Sequence, residues 1–191
     1  GEAWIHDANN LRLTIIPCVN YSHKQLYELP VHPSPNLKNQ TAVILYPSLC
    51  FFEGTPISIG RGTDWPFQIF GHPQFHNKYP FSFTPRSRIE SINPPWIDQQ
   101  CFGPDLRKVN LKKIYQSKKI NLTYLFEAFQ VYPIKDSFFL KNLFFDKLAG
   151  TRTLRQQILK GYSESEIRKS WEPGIKKFMT KRKKYLLYDD F

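Results

Sequence analysis

The sequence predicts an α+β fold: a small mixed β-sheet with long Pro/Gly-rich loops in the first two thirds and several packed helices at the C-terminus. Three observations lead there. Apolar, β-branched runs stand early, at Leu11–Ile16 and Thr41–Tyr46. Proline and glycine punctuate residues 30–98. From residue 121 onward, apolar residues recur at helical spacing between capping residues. Strands first and helices later is the α+β order.

The elements follow in chain order. Gly1–His6 reads as the tail of a helix or a lead-in turn. Leu11-Arg-Leu-Thr-Ile-Ile16 alternates at first and stops at Pro17, which predicts a strand. Pro30, Pro33, Pro35, Asn36 and Asn39 rule a stiff loop. Thr41-Ala-Val-Ile-Leu-Tyr46 is wholly apolar apart from its first residue, as in a buried strand, and Pro47 ends it. Residues 49–71 are dense in Gly, Pro, Arg and acidic residues, and residues 72–98 form a long excursion over the surface or around a cleft. Residues 99–112 supply one or two more strands. Asn121 is expected to cap a helix, Phe138–Leu148 to form a second closed by Gly150, and Thr151 to cap a third that ends before Gly161. Ser163-Glu-Ser-Glu166 fits a capping box, and Pro173 is expected in the first turn of a last helix.

Composition sets the bounds. At 191 residues and 41% hydrophobic content, the chain suits one domain, residues 1–191, and excludes wholesale disorder. No apolar run is long enough to span a membrane as a helix. The chain opens on Gly1 and its single methionine is Met179, which predicts a fragment of a longer protein. The net charge of +11 is uneven: residues 1–100 carry 7 Lys+Arg against 7 Asp+Glu, and residues 101–191 carry 20 against 9. Such asymmetry suits an anionic partner, though solvated Lys-rich helix faces explain it as well. No nucleic-acid-binding motif accompanies the charge. Cys18, Cys50 and Cys101 show no C-x-x-C spacing; one bridge with a spare thiol is open to them, and three buried thiols is the preferred reading. His72 and His76 flank Pro73 and have no acidic partner, so no metal site is expected, and no cofactor fingerprint occurs.

The segment richest in chemistry is Cys50-Phe-Phe-Glu-Gly-Thr-Pro-Ile-Ser-Ile-Gly-Arg-Gly-Thr-Asp-Trp-Pro-Phe67. Arg61 lies between Gly60 and Gly62, where backbone freedom lets a ligand approach the main chain. A guanidinium there can grip a carboxylate or phosphate through two parallel hydrogen bonds. Thr55 and Thr63 add hydroxyls; Glu53 and Asp64 add carboxylates. Two readings of Glu53 and Arg61 stay open: an ion pair that closes its own loop, or a ligand-binding pair. Asn36 likewise is either a ligand contact on the stiff loop or an Asx-turn residue. Trp65, Phe67, Phe75, Phe81, Phe83 and Trp96 are either a sugar-stacking wall or, as usual, core beneath a long loop. Phe178, Arg182 and Tyr185 stand at the spacing of a helical docking stripe.

The succession Pro33-Ser-Pro-Asn36, Tyr46-Pro47, Phe52-Glu-Gly-Thr55, Gly60-Arg-Gly-Thr63, Pro66-Phe67 and Gly71 resembles the bacterial exo-β-N-acetylmuramidase family (NamZ-like). Cys101-Phe-Gly-Pro-Asp-Leu106, Phe144-Phe-Asp-Lys-Leu-Ala-Gly150, Leu154-Arg-Gln-Gln-Ile158 and Arg182-Lys-Lys-Tyr-Leu-Leu-Tyr188 fit as well. The resemblance implies a two-domain protein that releases N-acetylmuramic acid from the non-reducing ends of peptidoglycan fragments. A Rossmann-like N-terminal domain would carry the main catalytic carboxylate, and this chain would be the C-terminal auxiliary domain. It further implies that the catalytic acid lies outside this chain and that the protein works outside the cytoplasm of a bacterium. Substrate contacts are expected from Arg61, Glu53, Thr63 and Asn36, with Arg61 on the lactyl carboxylate of the sugar. Two other readings compete: a non-enzymatic module that binds an anionic polymer through residues 101–191, and a structural interaction domain.

Overall fold

The computed structural model describes His6 and residues 10–189. The lead-in expected over Gly1–His6 therefore lies, His6 apart, outside the described residues. The architecture is α+β, with six helices, mostly in the C-terminal part, and a two-stranded sheet joined by 3-10 turns and long irregular connections. The sheet is antiparallel rather than mixed. It pairs β1 (Ser82–Phe83) with β2 (Cys101–Phe102), with Ser82 opposite Phe102 and Phe83 opposite Cys101. Single bridges extend this pairing sideways: Ser58 to Gly71, Ile69 to Asp105 and His72 to Phe102.

Neither run read as an early strand forms one in this structure. Residues 11–16 are irregular and exposed, with no ladder partner among the described residues. Thr41–Tyr46 lies inside helix α1 (Gln40–Leu49). The Asn39 side chain accepts the Ala42 amide at 2.9 Å and caps the helix. The buried positions Ala42, Leu45 and Leu49 then share one helical face. An apolar run of this length fits a buried strand or helix equally, and the cap decides. Pro47 sits within the helix instead of ending it; a 3-10 turn, Cys50–Gly54, continues directly to Glu53.

The later helices follow their caps more closely. Asn121 accepts the Thr123 amide at 2.9 Å, at the start of α3 (Thr123–Val131), after α2 (Leu111–Ser117). The helix expected over 138–148 shortens to α4 (Phe144–Ala149), because Phe138 and Phe139 turn inward as core residues before it begins. Gly150 closes α4 in the left-handed region, as expected. Thr151 Oγ1 accepts the Thr153 amide at 3.1 Å ahead of α5 (Thr153–Leu159). The Ser163–Glu166 capping box starts α6 (Glu164–Arg182), which runs straight through Pro173. Pro173 removes one hydrogen bond to the Lys169 carbonyl, but Lys169 is solvent-exposed and water can replace the partner.

The core is built from phenylalanine. Phe52 and Phe70 stack at 4.7 Å, Phe139 meets Phe145 edge-on at 4.6 Å, and Phe129 meets Phe138 at 5.1 Å. Helix α4 presses its backbone onto the 3-10 turn, so that a Cβ on Gly54 would sit 2.6 Å from Phe145 Cβ. Asp146 on α4 accepts two hydrogen bonds from Arg155 on α5, at 2.7 and 2.8 Å, and this pairing holds its carboxyl below the usual range. All three cysteines are free: Cys101 is buried and Cys50 half-buried, but Cys18 is exposed, contrary to the expectation of three buried thiols.

His72 is buried within this core. Its Nδ1 accepts the Gln74 amide at 3.2 Å, which leaves the proton on Nε2. Nε2 has no hydrogen-bond partner among the described residues; the ring instead meets Trp96 at 4.5 Å and Tyr132 at 5.1 Å, both edge-on. Burial lowers the His72 pKa to about 4.

Two outcomes follow. Gly54→Ala should destabilise the fold by about 2–3 kcal/mol, since backbone, not a flexible side-chain tip, stands in the way; urea unfolding reads this. His72 takes up a proton on unfolding below pH 6.5, so stability should be full above that pH and fall towards pH 4. The loss from this group is on the order of 3 kcal/mol. In His72→Phe the urea midpoint should depend less steeply on pH between 6.5 and 4, and an unaltered slope would remove His72 as the cause.

Candidate functional site

The candidate site is the corner between Cys50 and Phe67. Gly60 and Gly62 both have positive φ, 75° and 77°, which an L side chain rarely adopts. The corner is braced from within. Thr63 Oγ1 donates to the Gly60 carbonyl at 2.7 Å and accepts the Trp65 amide at 3.0 Å. The Phe67 amide donates to the Ile59 carbonyl at 2.8 Å, which brings Phe67 back beneath Arg61. Phe67 itself has φ of 58°, a strained setting for a bulky residue, and its ring is buried.

On this platform stand two charged side chains. Arg61 Nη2 donates to Glu53 Oε2 at 2.9 Å. The guanidinium carbon lies 5.2 Å from the Phe67 ring centre, in cation–π range. The Arg61 side chain is 28% exposed and that of Glu53 is 23% exposed, so the pair lies above the aromatic layer and open to solvent. Arg61 makes no other side-chain hydrogen bond among the described residues, so the second N–H of Nη2 and an N–H of its neighbour, Nη1 or Nε, can together receive an external carboxylate. The Tyr46 ring, 37% exposed, meets Phe67 edge-on at 4.9 Å. Partial burial, then the charges of Glu53 and Cys50, raise the Tyr46 pKa, against the pull of Arg61. Burial and Glu53 push the Cys50 thiol up to about 11.

The expected site residues divide accordingly. Arg61 and Glu53 come together. Thr63 is buried, and its hydroxyl is occupied by the turn. Thr55 is also buried, donating to the Phe52 carbonyl at 2.8 Å. Asn36 makes no Asx-turn: its own amide donates to Ser34 Oγ at 3.3 Å, and its Nδ2 donates to the Glu90 carbonyl at 3.2 Å. The turn that holds Asn36 is tied to the corner through Arg88 and Asp64, at 2.5 Å, and through the Arg86 amide on the Gly62 carbonyl, at 2.9 Å.

The glycines do not open the main chain to a ligand. A Cβ on Gly60 would meet the Trp65 carbonyl and Ile69, both at 2.7 Å, and one on Gly62 would lie 2.6 Å from Pro94. The protein's own backbone and side chains fill those spaces. A sugar-stacking wall is not formed either: Phe67, Phe75 and Phe83 are buried, and the Arg107 guanidinium covers Trp65 at 4.0 Å. Sequence reasoning missed Tyr46 and the platform role of Phe67. The pattern does place Tyr46 one helical turn before Cys50, on the side of α1 that faces the corner.

A second hollow lies between α2 and the start of α6, lined by Lys113, Ser117, Lys119, Asn121, Glu164 and Arg168. Within it Arg168 pairs with Glu164 at 2.6 Å and donates to the Ile120 carbonyl at 2.5 Å. Among the described residues no group of three or more His, Cys, Asp or Glu is placed to hold a metal ion. No helix of the described residues is long and apolar enough to cross a membrane.

Comparison with known proteins adds the family. Peptidoglycan beta-N-acetylmuramidase NamZ of Bacillus subtilis (strain 168) is 33% identical over 191 residues, covering 92% of this chain and 45% of that protein. A crystal structure of a DUF1343 family protein from Bacteroides fragilis is 46% identical, with a TM-score of 0.87, over 93% of this chain and 49% of that one. A second DUF1343 structure from the same species, 19% identical, shares the fold, with a TM-score of 0.61 over 83% of this chain and 45% of that one. The chain thus spans about half the length of these relatives. The family model described as Exo-beta-N-acetylmuramidase NamZ, C-terminal, matches residues 44–188, and the chain belongs to that family.

Proposed function

We propose that the chain is the C-terminal auxiliary domain of a two-domain glycoside hydrolase that releases N-acetylmuramic acid from the non-reducing ends of peptidoglycan, outside the cytoplasm. Glycoside hydrolysis of the ordinary kind needs two carboxyl groups about 5–10 Å apart across the scissile bond. At this corner Glu53 pairs with Arg61 and Asp64 with Arg88, each carboxylate held by a different arginine. By resemblance to the family, the bond-breaking acid is assigned to a Rossmann-like N-terminal domain, and this chain supplies recognition from the other side of the cleft. The single observation that carries the reading is the half-open guanidinium of Arg61, held by Glu53 at 2.9 Å over the Phe67 ring with two donors to spare.

N-acetylmuramic acid carries a lactyl carboxylate that most sugars lack. A planar fork of donors, fixed in advance by an ion pair and a ring, suits that group. Glu53 orients the fork, Phe67 supports it, and the Tyr46 ring stands edge-on against Phe67. Asn36 is assigned to the rim through its tethered turn, and Thr63 to holding the corner rather than touching the sugar.

The test uses the intact two-domain protein. Arg61→Ala should lower kcat/KM on muramic-acid-terminated fragments about 10²-fold, the worth of a lost charge-assisted pair of hydrogen bonds. On the same fragments with the lactyl acid converted to its amide, Arg61→Ala and wild type should differ little. Equal kcat/KM for the two proteins on the acid substrate would remove Arg61 from substrate recognition. The anionic-polymer reading makes the opposite demand: binding to bare polyanion that weakens steeply with salt.

A further inference from the structure

The segment before residue 34 is the part of the molecule that the site does not use. Residues 10–21 are all exposed. Leu11, Leu13 and Ile15 alternate with Arg12, Thr14 and Ile16, the period of a half-covered strand. Yet Leu13 is 71% and Ile16 is 88% exposed, and the backbone of 11–16 makes no hydrogen bond to any described residue. Amides unpaired among the described residues, beside exposed Leu11, Leu13 and Ile15, are what one half of a sheet contact presents.

The far end of the segment, by contrast, is fastened. The Cys18 amide donates to Tyr188 Oη at 2.6 Å, and Tyr21 and Tyr188 meet edge-on at 5.0 Å. The strip thus leaves the body of the domain just beyond Pro17 in a set place. The family model begins at residue 44, but the Bacteroides relative covers 93% of the chain, so the likeness reaches into this segment. These relatives are about twice as long as the chain.

We propose that Leu11–Ile16 is a β-strand of a sheet carried by the other half of the full-length protein. Its amides complete the ladder at one edge of that sheet, and Leu11, Leu13 and Ile15 cover the sheet's apolar face. The strand belongs by packing to the neighbouring domain and by chain connection to this one. It thereby fixes the approach of the two domains to each other, with Tyr188 as the pin on this side. The inference rests on the two-domain part of the reading above and not on the choice of substrate.

Hydrogen exchange of the full-length protein tests it. Amides of residues 11–16 should exchange at least ~10²-fold more slowly than in the urea-unfolded protein, equally at low and high protein concentration. Thr14→Pro, which deletes one ladder donor, should abolish that protection locally while residues 40–60 stay protected. Exchange of 11–16 at the unfolded rate overturns the proposal. Protection that appears only at high concentration, together with dimers in sedimentation, also overturns it, because a second copy is then the occupant. Muramidase activity is measured on the same sample: a protected strand without activity would strike the functional reading alone, and activity with an unprotected segment would strike the strand alone.

Discussion

Residues 50–72 cross the face of the domain with no ladder of their own, so their buried polar groups must be satisfied one at a time. A buried, unpaired backbone group costs about as much as a lost hydrogen bond, and this constraint shapes the whole region. Thr55 turns its hydroxyl onto Phe52, Ser58 and Gly71 exchange two amide–carbonyl bonds at 2.9 and 2.8 Å, and Thr63 serves both Gly60 and Trp65. The Trp96 indole reaches back to the Pro56 carbonyl at 2.6 Å. Thr55, Ser58 and Thr63 thus find partners within the loop, whereas Asp64 and Gln68 reach outside it, to Arg88 and Asn39. What remains outward-facing is the Arg61–Glu53 pair, and it stands where it does because the turn beneath it has no freedom left.

That constraint explains what the sequence reveals and what it conceals. Helix starts are legible wherever a cap acts locally: the Ser163 box, Thr151 before α5 and Asn121 before α3 all work through neighbours within a few residues. Residues 11–16 and 41–46 are not strands of this structure, for two different reasons. Thr41–Tyr46 has the composition of a strand and the cap of a helix, and the cap at Asn39 precedes the run on which attention falls. Residues 11–16 have the period of a strand without a sheet to join in this domain. The pairing of Arg61 with Glu53 is legible because both stand in one short Gly-rich segment, and the ion pair weighed from the sequence forms. Thr63 and Asn36 look alike from the sequence, but Thr63 is drawn into the turn by the Gly60 carbonyl, and Asn36 is drawn to the Glu90 carbonyl, far along the chain. Tyr46 and Phe67 escape notice because their roles need a left-handed Phe67 backbone, which no residue pattern announces.

The charge of the molecule is arranged in a way that net counts hide. Around the corner every arginine has a carboxylate: Arg61 with Glu53, Arg86 with Asp98, Arg88 with Asp64 and Arg107 with Asp105. The surplus of +11 comes instead from the lysine-rich second half. The corner is thus nearly neutral overall, and what it offers an anion is geometry more than field.

Geometry is what a small charged sugar requires. Half-exposed ion pairs contribute roughly 0–1 kcal/mol to folding, so Glu53 is a weak reason for the fold to exist and a strong reason for Arg61 to point one way. A pair of that modest worth is easily shared. On the proposed reading, an arriving carboxylate takes the second N–H of Nη2 and an N–H of its neighbour without breaking the bond to Glu53. A long flexible lysine at the same place would lose more rotamer freedom for each hydrogen bond made and would lack the second donor for a bidentate grip. If the corner receives the sugar acid as proposed, discrimination comes from a fork held over Phe67, and any change that lets the fork turn loses it even where the charge survives.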